Sequence, residues 1–361
     1  MENPYFNTMR FALVILGAGI FLTGCGGGDK FIRVPLPRGS DKFIRVVLSE
    51  AATQVSISSG QVIRLQEPKI MEFSKFVSIV PSNDGFHLSG KSIKASHVML
   101  SGNGRSLNIS IKNGNGSQAA RWVVGGNITV HLKNSQLVVV NTLALEEYVA
   151  GVVGSEVNPR WHEELLKVQA VAARTYVLYK KTLKKNSFFD VYASTMDQVY
   201  TGRAKINGRV RNAVLATKGQ VITYERKPIF AVYSSTTAGP TEDSLNVWSK
   251  GLPYLKGVDC PFDKDAPRYA WKTSIPIKTV EKKLRQDGLD IGTLATLTPY
   301  TYTRAGRVNE VQILHSKGKL ILRGQDLRRI LGYSEVLSTQ FHIENIERNM
   351  VLSGKGSGHA V

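Results

Sequence analysis

Glu156 stands in the segment GVVGSEVNPRW, with Val152, Val153, Val157, Pro159 and Trp161 as its near neighbours in the chain. Apolar surroundings strip water from a carboxyl group and favour its neutral form, which raises the pKa towards that of a general acid working near neutrality. Such a residue could donate a proton during bond cleavage. The plainer reading is an acidic residue just ahead of a helix start, where carboxylates are favourable in any case. A second group of reactive side chains lies at Ser234, Ser235 and Thr236, followed by Gly239, in the run SSTTAG. Its hydroxyls and permissive glycine backbone suit close approach to a polar ligand, and equally a turn that satisfies itself. No G-x-S-x-G elbow surrounds these serines and no histidine stands at an evident spacing, so the pattern does not support a serine nucleophile. Glu242 is the best second carboxylate if the reaction needs two, which would require a separation of roughly 5 to 9 Å from Glu156.

The elements that must position these groups are legible from composition. From Glu163 to about Lys185 the residues are helix formers, with Leu166, Ala170, Ala173, Tyr176 and Val177 on one broad apolar face and Asn158 and Pro159 marking the start. Arg174 falls near the middle of that helix, amid AVAARTY, where a charge is only partly exposed and needs a partner. It could hold a neighbouring carboxylate in place or bind an acidic substrate. Residues 44–142 are short β-branched runs broken by Gly, Asn, Ser and Asp, which predicts a mostly β part. Further on, QVITYE and IFAVYSS read as strands, 237–250 as a loop, and 278–287 and 324–331 as helices. The class expected is α+β, with a mostly β N-terminal part and a long central helix packed on mixed sheets.

Residues 1–25 read as an export signal: Arg10 supplies positive charge, Phe11 to Leu22 is apolar but too short to span a bilayer, and Leu22-Thr23-Gly24-Cys25 reads as a lipobox. Cys25 is then a lipidation site, and the protein is expected outside the cytoplasm, anchored to a membrane and facing the cell wall or periplasm. Residues 26–43, rich in Gly, Pro and charge, form a flexible tether holding the first of two DKFIRV copies, and the second copy, at 41–46, begins the first strand. With Cys25 acylated, Cys260 has no disulfide partner. The 361-residue chain carries a net charge of +19, so its partner is anionic. An exported lipoprotein meets wall glycan and anionic headgroups rather than nucleic acid. Cations are denser at Lys180, Lys181, Lys184 and Lys185, where they complement a helix C-terminus, and at Arg323, Arg328 and Arg329.

Taken together, five ordered blocks resemble the SpoIID/LytB family of bacterial cell-wall proteins: LEEYVAGVVGSEV with KVQAVAARTY, DQVYTG, YSSTTAGPTEDSLNVWSKGLPYLKGV, GQDLRRILG with STQF, and GKGSGHAV. The likeness implies a two-part architecture with a SpoIID-like catalytic part at 143–361, shortened at its C-terminus relative to the family pattern. It implies a lytic transglycosylase in which Glu156 cleaves the bond between N-acetylmuramic acid and N-acetylglucosamine in glycan strands, expected to be peptide-free. Glycan contacts are implied at Arg174, Gln198, Tyr200, Ser234, Ser235, Thr236, Gly239, Glu242 and His359, the last expected at a frayed end. Some relatives bind zinc ahead of the QxY segment. Residues 186–200 contain neither His nor Cys, so no metal and no cofactor are expected, and Tyr233 replaces a histidine frequent in relatives. Other readings are an amidase enhancer or glycan-binding module that recruits a peptidoglycan amidase, and a structural lipoprotein linking membrane to wall.

Overall fold

In the computed structural model, the residues described are 14–16, 19–21, 42–114, 120–185, 187–248, 250–346 and 348–361. Cys25, the lipobox and the tether up to residue 41 lie outside them. The chain divides into two compact units between Ala231 and Val232, whereas composition changes at 142/143. The class is α+β, with a mostly β N-terminal part.

Unit 1 is organised by one 16-residue strand, Phe43–Ser58. Its first half pairs antiparallel with Gln136–Ala144. Its second half pairs with Leu107–Asn113 on one side and Phe76–Ser82 on the other. Beyond Gln136–Ala144 the sheet continues through Asn127–Lys133, His97–Ser101 and Ile63–Glu67. Alternation explains the register: Val55 and Ile57 point into the core while Ser56 and Ser58 point outward. Val46, Val47 and Leu48 are all buried because both faces are covered there, Val47 by Phe189 and Tyr192 together with Val138 and Val140.

Three helices lie against the core face. The first, α1, spans Leu145–Glu156 and buries Tyr148, Val149, Val152 and Val153. The long α2 spans Glu163–Leu183, with Glu163 and Glu164 in its first turn and Lys180 and Lys181 in its last, each matched to the helix dipole. Its N-cap is His162, whose Nδ1 accepts from Glu164 N at 3.3 Å. Asn158 does not start the helix as expected; its Oδ1 closes a local turn on Arg160 N at 3.0 Å. The third, α3, spans Gly208–Ala216 and is capped by Asn207 Oδ1 on Val210 N. The run IFAVYSS forms no strand; Phe230 is used instead to pack on the rings of Tyr176 and Tyr179 of α2.

Unit 2 contains two three-stranded antiparallel sheets, one formed by Ala270–Pro276, Asn349–Lys355 and Gln340–Ile346, the other by Leu294–Tyr302, Val308–His315 and Gly318–Arg323. The short α4 spans Ser244–Trp248, α5 Ile277–Gln286 and α6 Gly324–Leu331. Val280, Leu284, Leu327 and Leu331 from the last two helices join Leu297, Val311, Ile313 and Leu352 in a separate core. Both helices fall within one residue of where composition places them.

Candidate functional site

Glu156 is the last residue of α1, followed by the C-cap Val157. It therefore sits at the carbonyl end of a helix rather than at the N-terminus of the next one, and the helix dipole disfavours a carboxylate there. A backbone donor offsets this: Val199 N donates to Glu156 Oε1 at 2.7 Å. The side chain is half-buried.

The segment that brings Val199 to this carboxylate is QVYTG, seated on the small-residue face of α1. A Cβ on Gly151 would stand 2.6 Å from the Tyr200 ring, and one on Gly154 would stand 2.6 Å from Lys205 O. Glycine at these two places is what lets the segment approach. Tyr200 then stacks on Tyr148 at a centroid distance of 5.4 Å, and its hydroxyl donates to Asn141 Oδ1 at 3.0 Å. Tyr148 in turn donates to Gln198 Oε1 at 3.0 Å. Ser155 Oγ accepts from Thr201 N at 3.2 Å and meets Thr201 Oγ1 at 2.8 Å. Residues 198 to 201 are thus fixed to α1 by four consecutive contacts, the second of them on Glu156.

This geometry corrects three expected contacts. Gln198 and Tyr200 are buried; their polar ends are engaged inside the protein, so they shape the wall behind Glu156 and offer no surface to a ligand. Arg174 is fully buried, not partly exposed. It forms a two-pronged pair with Glu146, Nε to Oε1 at 3.0 Å and Nη2 to Oε2 at 2.6 Å, and also donates to the carbonyls of Gln220 and Val214. It ties α1, α2 and α3 together, which is the carboxylate-holding role and leaves no route to a substrate acid.

In unit 2 the loop 234–240 is held from two sides. Asp263 Oδ2 accepts from Thr237 N, Thr237 Oγ1 and Ala238 N at 2.6, 3.0 and 2.9 Å. The buried Arg307 donates through Nη2 to Thr237 O at 2.6 Å. Gly239, at φ 125°, adopts a conformation that only glycine takes readily. Ser235 is exposed, Ser234 half-buried and Thr236 buried. Thr236 is bridged to Ser357 by reciprocal backbone bonds.

Glu242 is 3 % exposed, and both oxygens are occupied: Oε1 by Asp243 N and Asn246 Nδ2, Oε2 by the Thr303 hydroxyl at 2.5 Å. That corrects its expected role as a substrate contact or second catalytic carboxylate. His359 is not frayed either. Its Nδ1 accepts from Val361 N at 3.1 Å, its ring lies 5.1 Å from that of Trp248, and Ala360 O accepts from Glu242 N. Burial, and then the charge of Arg328, lower the His359 pKa to about 4, so the ring is neutral near pH 7. Among the described residues, no group of three or more His, Cys, Asp or Glu side chains is arranged to hold a metal ion.

Sequence reasoning missed Val199, Asp263, Arg307 and Glu146. Val199 acts through its backbone, which leaves no mark in side-chain type, and Glu146 lies 28 positions from the arginine it serves. Only the spacing Gly151-x-x-Gly154 carried a signal, that of a helix face prepared for close approach.

Residues 133–224 match the family described as Stage II sporulation protein, and residues 252–361 match a Domain of unknown function (DUF8618). Among curated proteins, the chain is 33% identical over 229 residues to an uncharacterized protein of Brachyspira hyodysenteriae, covering 63% of this chain and 61% of that one. It is 31% identical to a Stage II sporulation protein D of Bacillus amyloliquefaciens over 239 residues, 62% of this chain and 66% of the relative. An Amidase enhancer of Bacillus subtilis is 35% identical over 135 residues, 37% of this chain and 17% of that protein. The chain thus spans just under two thirds of the length of the first two relatives. With the glycine face of α1 and the QVYTG segment docked on it both falling within the first of these matches, residues 133–224 belong to the SpoIID/LytB family.

Proposed function

We propose that the protein has a role related to the cell wall and acts there as a lytic transglycosylase on peptidoglycan glycan strands, exported and held to a membrane through lipidated Cys25. The observation that carries the reading is Glu156, half-buried at the end of α1 in a rigid setting, with one oxygen oriented by the Val199 amide. A transglycosylase needs one carboxyl group in two states. Glu156 first protonates the glycosidic oxygen between N-acetylmuramic acid and N-acetylglucosamine. The resulting carboxylate then takes the proton from the muramic C6 hydroxyl as that oxygen attacks C1, closing a 1,6-anhydro ring without water. The burial and saturation of Glu242 support a single-carboxylate scheme. The exposed Ser235 hydroxyl is the loop group available to sugar.

A second reading is favoured by that same amide. A carboxylate that caps Val199 N has a structural task, and the protein would then be a glycan-binding amidase enhancer, the name carried by one of its relatives. Incubation with peptide-free glycan strands, followed by mass spectrometry, separates the two. Wild type should release 1,6-anhydro products. Glu156→Gln, whose amide oxygen can still accept from Val199, should bind strands and release none. Binding without cleavage by wild type would establish the enhancer reading and sink the enzymatic one.

A further inference from the structure

We propose that the end of unit 1 where the chain enters its first long strand is a docking surface for a bilayer rich in anionic lipid headgroups. Three segments meet there. Lys181, in the last turn of α2, donates from Nζ to Phe43 O at 2.6 Å, and Arg45 Nη1 donates to Ser187 O at 2.5 Å. The start of strand Phe43–Ser58, the end of α2 and the turn after it therefore form one continuous surface.

On that surface large apolar side chains stand out in solvent: Phe43 is 55% exposed, Leu183 63% and Phe188 38%. Lys42 and Lys185 are exposed beside them, and an open depression of about 510 Å³ runs between Thr182, Leu183, Lys184, Lys185 and Ser187. Lys184 lies 3.8 Å from the centre of the Phe189 ring and 4.9 Å from that of Tyr192. The nearby acids do little to cancel this charge. Asp190 and Asp197 are buried and paired with Arg45 and Lys180. Glu50 accepts from the Tyr192 hydroxyl.

Apolar side chains ringed by lysines are the composition that inserts at a headgroup boundary, the rings and Leu183 entering the acyl edge while ammonium groups remain among phosphates. An anionic glycan would engage the lysines, but it offers nothing to a protruding leucine; an acyl layer does. The place on the chain agrees. Sixteen residues separate Cys25 from Lys42, a reach of at most roughly 60 Å when fully extended. An anchor at Cys25 therefore keeps this end of unit 1 near the bilayer. The inference deepens the reading of Cys25 as an anchor.

The test uses the full chain carrying Cys25→Ser, so that no acyl group contributes, with and without the added pair Lys42→Gln and Lys185→Gln. Each is sedimented with vesicles of phosphatidylglycerol mixed with phosphatidylcholine, and with phosphatidylcholine alone as the baseline for any contribution of the apolar leader. The parent should bind the anionic vesicles well above baseline, and the double change should lower that partition about 30-fold at low salt, since each lysine near an anionic surface contributes about fivefold. A Leu183→Ser variant, which leaves the charge intact, should also weaken binding. Both changes lie at exposed positions, and unchanged thermal melts would establish that folding is intact. Equal binding by parent and double variant overturns the proposal. So does a loss seen on peptide-free glycan strands and not on vesicles. Acylation is read separately, from the mass of the Cys25 protein recovered from membranes, so failure of the anchor and failure of the docking surface give different results.

Discussion

Arg174 shows how far a residue's surroundings depart from what its neighbours in sequence suggest. Its position amid apolar helix residues correctly indicated that it needs a partner, but the partner, Glu146, comes from the preceding helix and is selected by packing. Replacing the arginine by glutamine would leave Glu146 facing a buried amide and strand the carbonyls of Gln220 and Val214. Removing one partner of such a pair costs on the order of 3 to 5 kcal/mol. Arg174→Gln should therefore unfold at markedly lower denaturant concentration while any folded fraction keeps its affinity for glycan. A raised KM with unchanged stability would point to the substrate role that the burial of Arg174 argues against. Glu156 is the opposite case. Its apolar flank was readable in the sequence, whereas the amide that orients it belongs to a segment more than forty positions away.

At the scale of elements, periodic segments were legible and contacts between elements were not. The expectation of a helix from Glu163 to about Lys185 matches α2 to within two residues at its end, because its apolar face repeats over nearly six turns. Its start was placed at Asn158 and Pro159 because they resemble capping residues. His162 does the capping instead, and histidine gives no such signal. IFAVYSS has strand composition but finds no edge to pair with, so propensity is overridden by the packing of Phe230. The docking of QVYTG on α1 yields a prediction proper to this scale. In Gly154→Ala the new methyl meets the Lys205 carbonyl, a backbone group that cannot rotate away. Separation of the segment from the helix should cost about 1 to 3 kcal/mol, and under the proposed transglycosylase reading turnover should fall with it because Val199 no longer orients Glu156. Wild-type turnover in a stable Gly154→Ala protein would show that the seat is not needed.

For the whole molecule, acid is the condition that finds its weak points. His359 in unit 2 and His131 in unit 1 both have pKa values lowered to about 4, mainly by burial. An unfolded histidine takes up its proton near pH 6.5. Between those values the unfolded chain binds more protons than the folded one, so stability is complete above about pH 6.5 and declines as the pH falls towards 4. For the largely buried His359 the loss approaches about 3 kcal/mol. His131, only half-buried, contributes less. Thermal melts from pH 7.5 down to 4.5 should show this decline, and His359→Gln should flatten it. A slope unaltered by that change would mean that the ring takes up its proton inside the fold as readily as in the unfolded chain. None of this was visible in the sequence, where His359 read as a loose terminal residue; its burial depends on backbone bonds between 236 and 357 and between 242 and 360.

The strand Phe43–Ser58 is hydrogen-bonded along both of its edges and begins where the N-terminal segment joins unit 1. Tension reaching Phe43 from that side runs along the strand axis, across ladders that must slip together rather than peel apart one bond at a time. Unit 1 is therefore built to bear a mechanical load at this corner, and pulled from Phe43 in a force spectrometer it should yield at higher force than when pulled from a peripheral hairpin such as Gly85–Leu88 with Lys91–Lys94.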